Sequence, residues 1–174
     1  MREKLKTGPG KREEVKQLAL GPYKGSILAA YDDPDFLEAI SPPEKILSRR
    51  GARILLDSRN RVGAVRLSLS GGREADIVVK EFSSRGLAKL KSLILPSKAA
   101  RAWRGAIALK ERGLGTASAV SYLERRKRGV VRRSFFLTEE IKAAEEIRGL
   151  FRSLPPSELQ PLLRALAAHL GLCH

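Results

Sequence analysis

Ala75-Asp76-Ile77-Val78-Val79-Lys80-Glu81-Phe82 is a short β-branched run that ends on a lysine beside a glutamate. Gly71-Gly72 bounds it on one side and Ser83-Ser84 on the other, which reads as a buried strand. An ammonium at the end of such a run is too costly to bury without a partner. Lys80 therefore either snorkels to water or holds an anion. Alternation along the strand sends Glu81 to the opposite face.

Working outward, Ala52 to Leu56 and Gly63 to Leu69 read as two preceding strands joined by the loop Asp57-Ser58-Arg59-Asn60-Arg61. Val65, Leu67 and Leu69 share one face of the second, Arg66 and Ser68 the other. Ser70-Gly71-Gly72-Arg73 turns into the Lys80 strand. Three successive antiparallel strands result. Leu87 to Leu95 is apolar with Lys89 and Lys91 alternating, and Pro96 ends it. Ser97 reads as the N-cap of a helix through Ala100, Trp103, Ile107 and Leu109, and Gly113 as its terminator. Ala119 to Glu124 and Val130 to Thr138 form a second hairpin around Arg125-Arg126-Lys127-Arg128-Gly129. Beyond Glu139-Glu140, Lys142 to Arg152 reads as a helix. A second helix follows Pro155-Pro156, with the capping-box spacing of Ser157 and Gln160 and a stripe of Leu159, Leu162, Leu163, Leu166 and Leu170.

Toward the N-terminus, residues 1–20 read as a Lys/Glu-rich mobile leader. Gly21-Pro22-Tyr23-Lys24-Gly25 is a turn, and Ser26 to Tyr31 a strand on the outside of the fold. Asp33 caps a short helix with Pro34 at its first position and Phe36, Leu37 and Ile40 on its apolar side; Ser41-Pro42-Pro43 stops it.

A chain of 174 residues bounds the fold to about one domain. It is 43% hydrophobic and 30% charged, ordinary for a soluble protein. No apolar run approaches the roughly 20 residues of a membrane span, and no signal peptide follows Met1. One cysteine, Cys173, excludes an internal disulfide and makes the cytoplasm the natural compartment. With two histidines beside it, no structural zinc site of the usual kind can be assembled. The net charge is +15, and Ser83 to Arg133 holds 14 Lys/Arg against Glu111 and Glu124, a net of +12. That field attracts polyanions: nucleic acid, anionic lipid head groups or nucleotides. Aromatic residues are 5% and do not interleave with the basic clusters, which counts against a base-stacking single-strand binder.

The element order, three strands, a helix, two strands, a connector and helices, is that of a kinase-like small lobe. Ile77-Val78-Val79-Lys80 stands where kinases carry Val-Ala-Ile-Lys. Pro96-Ser97-Lys98-Ala99-Ala100-Arg101-Ala102-Trp103-Arg104, Ala108-Leu109-Lys110-Glu111-Arg112-Gly113-Leu114-Gly115-Thr116 and Ser134-Phe135-Phe136-Leu137-Thr138-Glu139 resemble the bacterial lipopolysaccharide kinase (Kdo/WaaP) family, from Gly21 to the end. The resemblance implies an α+β fold: a five-stranded antiparallel sheet with one helix over 46–141, an N-terminal extension over 21–45, and over 142–174 the first helices of an incomplete large lobe. It implies ATP and Mg²⁺ as cofactors and an inner-core sugar of lipopolysaccharide, Kdo or heptose, as acceptor, with a cytoplasmic protein peripheral to the inner face of the membrane. Lys80 would hold the ATP phosphates, Arg59-Asn60-Arg61 would cover them, and Glu139, Glu140 and Ile141 would form the hinge at the adenine.

Three departures accompany it. The Arg59-Asn60-Arg61 hairpin has no glycine before Gly63, where a kinase phosphate loop is Gly-x-Gly-x-x-Gly. The helix position that should offer a glutamate to Lys80 is Ala102; Glu111, nine residues on, falls on the opposite side. Gly171-Leu172-Cys173-His174 resembles the start of the catalytic loop, with His174 its first residue, so the base and the metal ligands are expected beyond it and the chain is expected to be inactive alone. A competing reading is a non-catalytic basic module, binding nucleic acid or an anionic membrane surface through Arg125, Arg126, Lys127 and Arg128.

Overall fold

The computed structural model describes residues 13–83, 92–142 and 147–173. Seven antiparallel strands form one sheet: β1 (Val15–Leu20), β2 (Tyr23–Leu28), β3 (Arg53–Asp57), β4 (Asn60–Leu69), β5 (Arg73–Ser83), β6 (Ala119–Lys127) and β7 (Val130–Glu139), in the order β1-β2-β6-β7-β5-β4-β3. The sheet exceeds the expected five strands because the N-terminal segment contributes two. Val15–Leu20 is an edge strand, within the stretch read as a leader, and of its side chains only Leu18 is buried. Tyr23–Leu28 lies inside the sheet between β1 and β6, with Tyr23, Ile27 and Leu28 buried. The expected outer strand at Ser26–Tyr31 is thus shifted and internal. Gly25 permits this, because a Cβ there would lie 1.8 Å from the Tyr122 carbonyl oxygen.

One face of the sheet is covered by residues 29–48. Helix α1 (Pro34–Ala39) starts on Asp33, whose carboxylate accepts from the Asp35 and Phe36 amides. The same carboxylate accepts from the Ser70 amide and hydroxyl, tying the helix start to the β4–β5 turn. A 3₁₀ segment, Pro43–Ser48, follows. Phe36, Ile40, Ile46 and Leu47 close the main core over Tyr23, Ile27, Val65, Leu67, Ile77, Val79, Leu123, Phe135 and Leu137. Gly63 is bare because a Cβ would press to 2.8 Å from Leu47 Cδ2, so its smallness serves packing on this face.

The other face carries α2 (Lys98–Glu111), capped by Ser97 Oγ accepting from Ala100 N at 3.0 Å. Its end is a Schellman turn: Gly113 (φ +72°) donates to Lys110 O and Leu114 to Leu109 O, both at 2.9 Å. Trp103 docks it against Leu28, Ala119, Tyr122 and Phe136. Beyond the sheet lie α3 (Ile147–Ser153) and α4 (Pro156–Cys173). The capping box expected at Ser157 does not start α4, because Pro156 occupies the first turn and the Pro155 carbonyl already accepts from Glu158 and Leu159. Along its leucine stripe Leu159, Leu162 and Leu166 are half-buried, while Leu163 and Leu170 are exposed. Among the described residues no helix is long and apolar enough to cross a membrane.

Candidate functional site

Residues paired across antiparallel strands share a face. The register sets Val62, Lys80, Phe136, Tyr122 and Ser26 in one row, and Arg53, Ala64, Val78 and Thr138 in the next row toward the end of β7. Phe136 and Tyr122 pack against Trp103, so both rows lie on the face that carries α2. Lys80 is exposed at the end of the Ile77–Val79 run, and its Nζ stands 5.3 Å from the Phe82 ring centroid. Among the described residues no carboxylate lies within 4 Å of Nζ. Glu81 is on the other face and pairs with Arg133 at 3.3 Å. Lys80 is thus a cation held beside an aromatic ring and open to an anion, next to an apolar strip of Val78 and Ala64.

The expected hinge follows directly. Glu139 N donates to Ser118 O and Glu140 N to Asp76 O, which fixes the exit of β7. The Glu139 carboxylate accepts from the Tyr31 hydroxyl; burial first, and then this bond, push the tyrosine pKa up. The Glu140 carboxylate is taken by Arg53. Ile141 is exposed, and its N–H makes no hydrogen bond among the described residues. Of these three residues, only Ile141 has a backbone donor with no acceptor among the described residues.

Between strip and hinge lies an ion-pair cluster that sequence reading missed. Arg66 Nε bonds Asp76 Oδ1 at 2.7 Å, and Lys142 Nζ reaches Asp76 Oδ2 at 2.9 Å. These two hydrogen bonds hold the Asp76 carboxyl down to about 2. Gly51, Arg53, Ala64, Arg66, Asp76 and Glu140 line a hollow of about 310 Å³ there. The signal was available, since Arg66 and Asp76 face each other once the β4–β5 register is set.

The phosphate-covering loop is shorter than expected. Asn60 and Arg61 belong to β4, and only Ser58 and Arg59 turn the chain. Arg59 is exposed at that turn. Asn60 shares the face of Lys80, but Arg61 is one residue out of phase and shares the face of Val65, away from the site. Asn60 Oδ1 and Arg61 Nε are buried without a hydrogen-bond partner among the described residues.

The basic hairpin also differs from expectation. Arg125, Arg126 and Lys127 extend β6, and the turn is Arg128-Gly129, both with positive φ (53° and 77°). Arg125 is not at the tip: its guanidinium lies 5.6 Å from the Tyr23 ring centroid and 3.5 Å from Glu44. Arg126 bonds Glu124 and the carbonyls of Ser92 and Gly129. Lys127 and Arg128 are exposed at the tip. With Pro22 and Arg132, residues 125–127 line an open hollow of about 610 Å³. His174 lies outside the described residues, as do residues 87–91 of the Leu87–Leu95 run and residues 143–146 of the helix expected from Lys142. Among the described residues no group of three His, Cys, Asp or Glu side chains is placed to hold a metal ion.

No family model matches the chain, and no curated protein matches it. A solved structure described as WaaP in complex with acyl carrier protein is similar to 77% of this chain at 23% identity, with a TM-score of 0.48. The chain spans about half the length of that one, 50%.

Proposed function

We propose that the α2-bearing face binds ATP as the small lobe of a kinase-like phosphotransferase, with an inner-core lipopolysaccharide sugar, Kdo or heptose, as the acceptor. The observation that carries this reading is Lys80, a cation without a carboxylate partner among the described residues, beside the apolar Val78 and Ala64, with Ile141 N–H beyond the Arg66–Asp76 ion pair. In this reading Lys80 Nζ holds the α- and β-phosphates, as the lysine of the Val-Ala-Ile-Lys strand does in kinases. Val78 and Ala64 cover the adenine, and Ile141 N–H donates to it. Arg59 supplies charge at the turn where a glycine loop would supply backbone amides. Among the described residues no group of three His, Cys, Asp or Glu side chains is placed to hold a metal ion, so this reading assigns magnesium no ligand.

One observation favours a second reading, a basic module that binds without catalysis: α2 offers Ala102 and no carboxylate where Lys80 would be clamped. A lone lysine makes nucleotide binding weak in either case. The test is titration of a fluorescent ATP analogue into the parent and Lys80→Met, with circular dichroism as the control for folding. Methionine keeps the aliphatic stem and removes the charge. Loss of a charge-assisted bond worth about 1.5–3 kcal/mol should weaken binding about 10- to 150-fold. Equal affinity of the two proteins would remove Lys80 from the site. Duplex DNA binding with a steep salt dependence, and no competition by ATP, would favour the second reading.

A further inference from the structure

Residues Leu93, Ile94 and Leu95 are consecutive, and all three are exposed, Ile94 to 90%. Single exposed aliphatic residues need no explanation, but three in a row on a turn form an apolar projection. The turn is also anchored. Ser92 Oγ accepts from Val131 N at 3.0 Å, and Ser92 O accepts from Arg126 Nη1 at 2.8 Å. Leu93 Cδ2 sits so close to Gly129 that a Cβ there would meet it at 3.1 Å. The apolar projection is therefore fastened to the β6–β7 hairpin tip, where the cations Lys127 and Arg128 are exposed.

We propose that this composite tip docks the protein on an anionic lipid bilayer, with Leu93, Ile94 and Leu95 entering the acyl boundary and Lys127 and Arg128 at the head-group phosphates. Aliphatic side chains flanked by cations are the composition that an anionic interface rewards twice, by burial of apolar area and by attraction of charge. Nucleic acid would engage the cations and leave the aliphatic residues in water. The hydrogen bonds at Ser92 hold both parts in place before contact, so little ordering opposes docking. The proposal stands apart from nucleotide binding at Lys80, and its test uses no nucleotide.

The experiment is flotation of the full chain with vesicles of phosphatidylcholine alone or mixed with phosphatidylglycerol. Partition into mixed vesicles should lose about tenfold or more in Ile94→Ser, and further in the Leu93→Ser/Ile94→Ser/Leu95→Ser triple. Lys127→Ser/Arg128→Ser should lose about 25-fold, about fivefold for each cation. In Ile94→Trp, mixed vesicles should shift the emission to the blue and brominated lipid should quench it, over the constant background of buried Trp103. Three results would each overturn the proposal: equal partition into pure phosphatidylcholine, no loss in Ile94→Ser, or unmoved emission in Ile94→Trp.

Discussion

Gly25→Ala and Gly105→Ala make a matched pair whose effects should have opposite signs. At Gly25 the added Cβ would lie 1.8 Å from the Tyr122 carbonyl oxygen and 2.8 Å from its carbon, both backbone atoms that cannot swing aside. To reach even a tight 3.0 Å, the strands must part by 1.2 Å (3.0 less 1.8). That opens the ladder joining Lys24–Ile27 to Ser121–Glu124. Overpacking costs about 1–3 kcal/mol, and losing two hydrogen bonds at about 1 kcal/mol each adds about 2. The sum, about 3–5 kcal/mol, is a large part of the usual 5–15 kcal/mol of a domain (about that range). At Gly105, in the middle of α2, nothing lies within 4 Å of the added methyl, and alanine should stabilise by about 0.5–1 kcal/mol. Urea unfolding followed by circular dichroism measures both. Melting should fall by about 6–20 °C in the first and rise by about 1–4 °C in the second. A loss below about 1 kcal/mol at Gly25 would refute the internal position of β2.

Trp103→Ala should cost about 3–5 kcal/mol, because its indole is the largest buried side chain between α2 and the sheet; thermal melting checks this, and an unchanged midpoint would mean α2 is held elsewhere. Asp76 has a folded pKa of about 2, below its ordinary 3.8, so the stability it lends is complete above the ordinary value and lost as pH falls toward 2. Asp76→Asn should therefore flatten the acid limb of the stability–pH curve in that window, and an unchanged slope would contradict the Arg66 and Lys142 bonds. Tyr23 and Tyr31 are raised above the ordinary 10.0, by burial first and then by their bonds to Glu44 and Glu139. Their contribution is complete below pH 10 and is lost above it, so their phenolate absorbance should appear together with alkaline unfolding. Tyr23→Phe and Tyr31→Phe should each remove part of that step.

The three-strand run ending at Lys80, the caps at Asp33 and Ser97 and the stop at Gly113 were legible because each rests on local geometry: alternation, a side-chain oxygen at a helix start, a positive φ. The first strand was not, and the second was read three residues late, as Ser26 to Tyr31, and on the outside of the fold. Of β1 only Leu18 is buried, so its Lys and Gln pattern looks like a solvated tail, which is how a sheet edge protects itself. Arg125, Arg126 and Lys127 looked like a loop because charge suggests solvent. In the fold, Arg125 finds Tyr23 and Glu44, and Arg126 finds Glu124 and Ser92, all far in sequence except Glu124. Lys80 could be named from its strand alone. That Arg61 faces away from it follows from β4 beginning at Asn60, inside the stretch read as a loop, so that Arg61 pairs with Glu81 on the other face.

The pairing of β2 with β6 also governs when the molecule can close. Ser121 Oγ donates to Ser26 O across 95 residues of chain. During synthesis at about 5–20 residues per second, β2 waits about 5–20 s for its partner to leave the ribosome. Over that interval Ile27 and Leu28 have no β6 to lie beside, and the inner edge of the N-terminal hairpin stays open to any other extended chain. Slowing elongation between codons 29 and 118 should then lengthen the demand for chaperones and lower the soluble yield, with the finished protein's stability unchanged.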